Sequence, residues 1–193
     1  MITNKISFAI TILSWIVFGF GFLILKRRQS QKKQKKNKLA MIGMLLEGAG
    51  FALVFSVRRD VLTDIFPMNT FLKIILTILT GSLAIASVWL ALSAVKTLGK
   101  QWDIKAQIIE GHELITTGPY NIVRHPIYTG MFGLLIISGY SFTKLWAFLL
   151  SIVLYFIGTV FRTKVEEELL VEHFGDEYEN YMKKVPAMIP FLF

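Results

Sequence analysis

Long apolar stretches separated by polar ones dominate the pattern of this chain. The three longest cover residues 6–25, 39–57 and 71–95. At ~1.5 Å per helical residue, each is long enough to span most or all of the ~30 Å hydrocarbon core of a bilayer. Two shorter apolar stretches, residues 127–142 and 145–161, are joined only by Thr143 and Lys144. So short a connection predicts a helical hairpin.

This pattern predicts an all-α integral membrane protein with about five transmembrane helices, since backbone groups inside lipid must be satisfied within helices or closed barrels. A chain of 193 residues is expected to form one domain, residues 1–193. The composition agrees with a membrane protein, because 54% of the residues are hydrophobic and the mean hydropathy is +0.57.

Polar residues concentrate in two segments, residues 96–126 and 162–193. The second segment begins as a charged helix with one apolar face, formed at helical spacing by Val165, Leu169, Leu170, His173 and Phe174. Gly175 is expected to end this helix, and a short helix is predicted over residues 176–184.

The basic residues are distributed unevenly along the chain. Eight of the 21 fall within residues 26–38, directly after the first apolar stretch. Such a run is typical of the cytoplasmic side of a membrane protein and of contact with anionic membrane lipid. A nucleic-acid site would interleave aromatic side chains, which this run lacks. We therefore expect no nucleic-acid partner.

The same run predicts the topology. With residues 26–38 inside, the N-terminus lies outside, and the C-terminus and the polar segments 96–126 and 162–193 form a cytoplasmic region. Sixteen basic residues then lie inside and five outside. The membrane is expected to be the cell inner membrane in a prokaryote or the endoplasmic reticulum in a eukaryote.

The chain has no cysteine, which excludes disulfides and thiolate chemistry. Its three histidines lie far apart, without the spacing of a metal site, so we predict no metal. Glu47 places a carboxyl group inside the second apolar stretch. We expect it to lie near the interface or to pair with a neighbouring helix, and we favour this structural use over a functional one.

Glycines in the second stretch, Gly43, Gly48 and Gly50, permit close packing of helices. That packing is possible within the chain or across a dimer. We expect packing within the chain and a monomer.

Two polar blocks carry the candidate chemistry: "GHELITTGPYNIVRHPIYTG" before the hairpin and "RTKVEEELLVEHFGDEYENY" after it. The hairpin should bring Arg124 and His125 close to Arg162 and Glu166. Pro126 is expected to begin the fourth helix and to leave backbone groups around Arg124 and His125 free to meet a ligand.

Each of these residues also has an ordinary explanation. Arg124 is compatible with contact to lipid headgroups, and Tyr120 and Tyr128 with an interfacial aromatic belt. Arg162 and Glu166 suit a helical ion pair worth ~0.3–0.5 kcal/mol. Their joint occurrence on one face favours a ligand pocket.

The two blocks, together with "MKKVPAMIP" after them, resemble the isoprenylcysteine carboxyl methyltransferase family. That family belongs to a wider group of integral membrane methyltransferases that includes phospholipid N-methyltransferases. The resemblance covers about residues 96–190. It implies a pocket for S-adenosyl-L-methionine that is not built on a Rossmann sheet, and the absence of G-x-G-x-x-G agrees with that.

The resemblance also implies roles for individual residues. Cofactor contacts are implied for Gln107, His112, Glu113, Leu114, Ile115, Tyr120, His125, Pro126, Ile127, Tyr128 and Glu166. Glu166 would hold the ammonium group of the cofactor. Arg162 would face the carboxylate of the methyl acceptor. Arg162 and Glu166 are thus the implied catalytic pair.

The acceptor implied by the resemblance is the C-terminal carboxylate of a prenylcysteine, in a lipidated peptide or a similar lipophilic small molecule. Such an anion needs no general base, which suits the lack of an evident catalytic His-Asp pair. It would arrive from the bilayer between helices, while the cofactor arrives from the cytoplasm.

Other acceptors and activities stay open. A phospholipid amine or a small thiol would need a base, for which His125 and Glu166 to Glu168 are candidates. A reductase using a nicotinamide cofactor fits the "EEE" block less well. A ligand-binding or transporter-associated membrane protein would show polar residues deep in several spans, where this chain has only Glu47 and scattered Ser and Thr.

Overall fold

The structure is a computed structural model that describes residues 2–25, 37–103 and 111–189. Within these ranges it contains six α-helices: α1 Ile2–Leu25, α2 Lys38–Ser56, α3 Thr70–Leu98, α4 Pro126–Phe142, α5 Leu145–Phe174 and α6 Asp176–Met182. Short 3-10 turns follow α3 at Gly99–Gln101 and precede α4 at Gly118–Asn121. The predicted all-helical architecture is confirmed for the described residues. Gln107 and residues 26–36 of the basic run lie outside them.

Four helices, α1, α2, α3 and α5, are long and apolar enough to cross a membrane, while α4 is apolar but only 17 residues long. The count of about five spans therefore stays a prediction. The predicted hairpin is present, with α4 and α5 joined at Thr143 and Lys144.

The helix boundaries follow local signals in the sequence. Asn37 caps α2 by accepting a hydrogen bond from the Leu39 backbone N–H at 2.9 Å. Pro126 occupies the first turn of α4, as predicted. Gly175 ends α5 with φ of +52°, a conformation that glycine adopts without strain. The predicted fifth span and the charged helix after it form one continuous helix of 30 residues.

The helices pack in pairs. α1 lies on α3 and α4, α3 lies on α4, and α2 lies along α5. Helices α2 and α5 cross so closely that only glycine fits at two positions of α2. A Cβ on Gly43 would lie 2.6 Å from the Gly158 carbonyl oxygen, and one on Gly50 would lie 3.0 Å from the Ser151 carbonyl oxygen. The expected packing within the chain is thus confirmed for Gly43 and Gly50. At Gly48, no described atom outside its own helix lies within 4 Å of the Cβ position.

Small polar side chains join α1 to α4 in the buried interior. The Thr11 and Ser141 hydroxyls lie 2.8 Å apart, and the Trp15 indole donates to the Ser138 hydroxyl at 2.9 Å. Hydrogen bonds of this kind hold helices together where apolar surroundings give no hydrophobic preference for contact.

Candidate functional site

A cavity of about 500 Å³ lies where the first turn of α4 meets the charged half of α5. Its size is within the ~300–1,000 Å³ range of small-molecule sites. Walls come from all six α-helices, from the two 3-10 turns and from the segments beside these turns. The cavity therefore joins the two polar blocks with the two N-terminal helices.

Eleven of the twelve residues to which the resemblance gives a role line this cavity. They are His112, Glu113, Leu114, Ile115, Tyr120, His125, Pro126, Ile127, Tyr128, Arg162 and Glu166. The twelfth, Gln107, lies outside the described residues.

Glu166 faces the cavity from α5. The Tyr128 hydroxyl donates a short hydrogen bond to its Oε1 atom. The basic side chains near it are more distant, with Arg162 Nη2 and His125 Nδ1 each 3.7 Å away. Because 3.7 Å is too long for a hydrogen bond, this carboxylate keeps acceptor capacity toward the cavity.

Arg162 lies one turn earlier on α5 and is held by Glu47 of α2. Its Nη1 donates to Glu47 Oε2 at 3.1 Å, while Thr159 Oγ1 donates to Glu47 Oε1 at 3.0 Å. The guanidinium carbon lies 5.0 Å from the centre of the Tyr128 ring. Glu47 thus pairs with a neighbouring helix, which is one of the two placements expected for it. It also lines the cavity.

Glu167, the next residue on α5, belongs to a different cluster. Its Oε1 accepts from Arg124 Nε at 2.9 Å and lies 2.9 Å from His125 Nε2. Arg124 also donates to the carbonyl oxygens of Met182 and Val185. These contacts tie the start of α4, the end of α5 and the C-terminal segment together.

The C-terminal segment corrects one expectation. The backbone N–H groups of Arg124 and His125 donate to the carbonyl oxygens of Pro186 and Ala187 at 2.8 and 2.9 Å. These N–H groups are therefore not free to meet a ligand. The expectation that Pro126 would leave them free was wrong. The chain after α6 returns along the start of α4 and occupies these donors.

His112 lies at another wall of the cavity. Its Nδ1 atom is buried and has no hydrogen-bond partner among the described residues. Burial lowers the pKa of His112, and the nearby His173, with ring centres 6.3 Å apart, lowers it further. The imidazole is consequently favoured in its neutral form.

Three tyrosines complete the polar end of the cavity. Burial is the main cause that raises the pKa of Tyr120, Tyr178 and Tyr181 above the usual range. All three stay neutral phenols at physiological pH, so they can pack and donate hydrogen bonds but cannot act as bases. The Tyr181 hydroxyl donates to the Tyr120 carbonyl oxygen.

Sequence reasoning did not assign the apolar wall. It consists of Phe18 and Phe22 on α1 and Met44, Gly48 and Phe51 on α2. The i, i+4 and i, i+4, i+7 spacings are visible in the sequence, but large apolar residues also lie on other faces of these helices, so spacing alone does not single out this one. A polar residue on the same face, Glu47, was the available signal.

Across residues 2–25, 37–103 and 111–189, no group of three or more His, Asp or Glu side chains is placed to hold a metal ion. The polar side chains that line the cavity include the carboxylates of Glu47 and Glu166 and the guanidinium groups of Arg124 and Arg162.

Comparison with known proteins gives a consistent picture. The sequence model of the phospholipid methyltransferase family matches residues 75–177, more than half of the chain. The chain is 34% identical over 165 residues to protein-S-isoprenylcysteine O-methyltransferase of Schizosaccharomyces pombe, covering 80% of this chain and 66% of that protein. The human protein of the same name is 31% identical over 112 residues, covering 52% of this chain and 36% of that protein.

A solved structure of the eukaryotic intramembrane Ras methyltransferase, an isoprenylcysteine carboxyl methyltransferase, shares the fold. The TM-score is 0.51 at 18% identity, over 94% of this chain and 63% of that chain. The chain spans about two thirds or less of the length of these relatives. The resemblance carried by the two polar blocks is confirmed by the similarity to protein-S-isoprenylcysteine O-methyltransferases. The chain belongs to the phospholipid methyltransferase family.

Proposed function

We propose that this chain is a membrane methyltransferase that uses S-adenosyl-L-methionine and methylates the C-terminal carboxylate of a prenylcysteine or a similar lipophilic acceptor. One observation carries the proposal. A single cavity holds a carboxylate with acceptor capacity, Glu166, and an arginine held in place, Arg162, beside an apolar wall. The isoprenylcysteine O-methyltransferases among its relatives support the same acceptor.

The described residues fit the proposed cofactor. Glu166 offers a carboxylate to an ammonium group, a charge-assisted contact. The buried, unpartnered Nδ1 of His112 offers a polar atom at another wall. Tyr120, Ile127 and Tyr128 add the apolar and aromatic surface that a nucleoside requires. The Glu113 N–H already donates to Gln101 Oε1 at 2.7 Å. The other backbone groups of residues 112–115 would complete the contacts.

When bound, S-adenosylmethionine supplies an electrophilic methyl group, whose transfer to a carboxylate oxygen leaves the electron pair on sulfur and moves no proton. Arg162 would align the acceptor carboxylate through its planar fork. Glu47 and the Tyr128 ring hold the guanidinium against rotation. The contribution of the protein is then alignment and exclusion of water rather than proton transfer.

The proposed topology lets the cofactor arrive from the cytoplasm and the lipophilic acceptor arrive from the bilayer. The cavity would lie at the cytoplasmic surface, with the N-terminus outside and about five spans. A lipidated peptide would reach it from the bilayer, past Phe18, Phe22, Met44 and Phe51.

A phospholipid amine is the second candidate acceptor, because the matching family is that of the phospholipid methyltransferases. An amine would have to lose a proton. His125 is the available base, since its Nδ1 lies on the Glu166 side at 3.7 Å while Nε2 is engaged by Glu167.

Acceptor choice is tested with purified protein, methyl-labelled donor and four acceptors: N-acetyl-S-farnesylcysteine, its carboxamide, phosphatidylethanolamine and a short alkyl thiol. We expect label only on the free acid, released by alkali as methanol from an ester. The carboxamide is the matched control because it keeps the lipid and replaces the anionic carboxylate with a neutral amide. Alkali-stable label on the amine or the thiol would replace the carboxylate proposal.

A further inference from the structure

The apolar wall borders a wedge-shaped space between α1 and α2. Near one end the helices meet through aromatic rings, with Trp15 5.5 Å from Phe51 and 5.6 Å from Phe55 between ring centres. Elsewhere α1 packs on α3 and α4, and α2 packs on α5, so the described parts of α1 and α2 share little contact beyond these rings. Past the rings, the cavity occupies the space between the two helices.

Gly48 lies on the α2 side of this wedge, and its lack of a side chain has no packing explanation. Gly43 and Gly50 face backbone atoms of α5 at 2.6 and 3.0 Å, which requires glycine there. Gly48 faces no described heavy atom within 4 Å outside its own helix, yet it lines the cavity. A side chain at this position would meet open space beside the cavity wall.

The position of Gly48 relates that space to the charged groups. Glu47, the preceding residue, holds Arg162 at 3.1 Å. Met44 and Phe51, one turn before and after on the same face of α2, line the cavity as well. A molecule with its carboxylate at Arg162 would therefore extend its apolar part along Gly48 toward the Trp15–Phe51 contact.

We propose that Gly48 sets the size of the acceptor's apolar chain, which lies between α1 and α2 and passes the bare backbone at this glycine. The inference rests on the proposed function for the chemical class of the acceptor, a carboxylate attached to an isoprenoid chain. Each added side-chain carbon at residue 48 removes room from that chain and penalises the longer acceptors most.

The test uses the full-length protein with cysteine acceptors that carry two, three or four isoprene units. Binding is measured by titration calorimetry and methyl transfer as kcat/KM, for wild type, Gly48→Ala and Gly48→Leu. We expect Gly48→Leu to weaken binding of the four-unit acceptor at least ~10-fold more than that of the two-unit acceptor, since a few methylenes in an apolar pocket are worth this much discrimination. The discrimination between acceptors shown by Gly48→Ala should fall between that of wild type and that of Gly48→Leu.

Gly19→Leu is the matched control. Gly19 is also a glycine in an apolar helix with no described atom within 4 Å of its Cβ position, but it does not line the cavity. It should keep the wild-type order of acceptors. Binding of S-adenosylhomocysteine by each variant shows that the protein is folded.

The outcomes separate this inference from the proposed function. Acceptors that bind but are not methylated would refute the function, while the binding profile of Gly48→Leu still decides the role of residue 48. An unchanged profile in Gly48→Leu, or no binding of any of the three acceptors by folded wild type, would overturn the inference even if S-adenosylhomocysteine binds.

Discussion

Glu166 and Glu167 are adjacent on α5 but serve different clusters. Glu166 faces the cavity, accepts a hydrogen bond from Tyr128 and has two basic side chains, Arg162 and His125, at 3.7 Å. Glu167 lies in closed contacts of 2.9 Å with both Arg124 and His125. Each side chain is 23% exposed, so burial does not distinguish them. The difference is the distance to the basic side chains, which lie at hydrogen-bond distance from Glu167 and beyond it from Glu166.

This difference indicates which cluster holds the fold and which is available to a ligand. A carboxylate with an oxygen atom held at hydrogen-bond distance by basic side chains of other elements stabilises the elements that it joins. A carboxylate with remaining capacity beside a cavity is instead a candidate for binding. His125 lies between the two, with Nε2 toward Glu167 and Nδ1 toward Glu166.

The largest expected effect is on stability, in the Glu167 cluster. Glu167→Ala removes the carboxylate partner of Arg124, whose side chain is only 11% exposed. Breaking a buried pair in this way costs about 3–5 kcal/mol, or a fall of roughly 10 °C in melting temperature for a chain of this length. Thermal unfolding in detergent measures it.

Glu168→Ala is the matched control, because Glu168 is the exposed third residue of the same run. Its melting temperature should stay within a degree or two of wild type. Equal melting temperatures for the Glu167 and Glu168 variants would contradict the structural role of the Glu167 cluster.

A smaller effect, on the reaction, is expected at Glu47. Glu47→Gln keeps the size of the side chain but removes the charge that holds Arg162. A hydrogen bond to a charged group contributes about 1.5–3 kcal/mol, so kcat/KM for the acceptor should fall about 10- to 100-fold.

Binding of S-adenosylhomocysteine should change little in the same variant, because Glu47 acts through Arg162 on the acceptor side. Glu47→Asp should recover part of the activity. Equal losses of cofactor binding and acceptor turnover would show that Glu47 supports the cavity as a whole instead of positioning Arg162.

The smallest effect is expected on the pH dependence of stability, through His112. Its pKa is lowered in the fold, so between that value and the ordinary ~6.5 the unfolded chain binds more protons than the folded one. The stability contributed by the neutral imidazole is therefore present above pH ~6.5 and is lost as the pH falls through this window.

His112→Gln removes that dependence. We expect the difference in melting temperature between wild type and variant to change as the pH is lowered from 7.5 to 5.5, with wild type losing more stability. A constant difference across this range would show that burial of His112 does not disfavour its protonation.

Much of this fold follows from the sequence, because lipid-length apolar stretches, Pro126 and Gly175 each act locally. The meeting of the two polar blocks also followed from the short connection between α4 and α5. The return of residues 185–188 along the start of α4 did not follow, since it depends on backbone hydrogen bonds that carry no side-chain signal. The same holds for the separation of Glu166 from Glu167, which depends on partners 38–43 residues away in the chain.

The apolar wall was hidden for a related reason. Where apolar residues lie on several faces of a helix, hydrophobic spacing does not separate the face toward a cavity from the face toward lipid. Gly48 and Gly43 look alike in the sequence, and only the neighbouring α5 backbone makes them different.

The central claim is that the cavity binds the methyl donor through Glu166. The most direct measurement is calorimetric titration of S-adenosylhomocysteine into detergent-purified wild type, Glu166→Ala and the matched control Glu168→Ala. We predict micromolar binding by wild type and Glu168→Ala, and its loss in a folded Glu166→Ala. Absence of binding by folded wild type with a lipid-like acceptor present, or binding that survives in Glu166→Ala, would contradict the account.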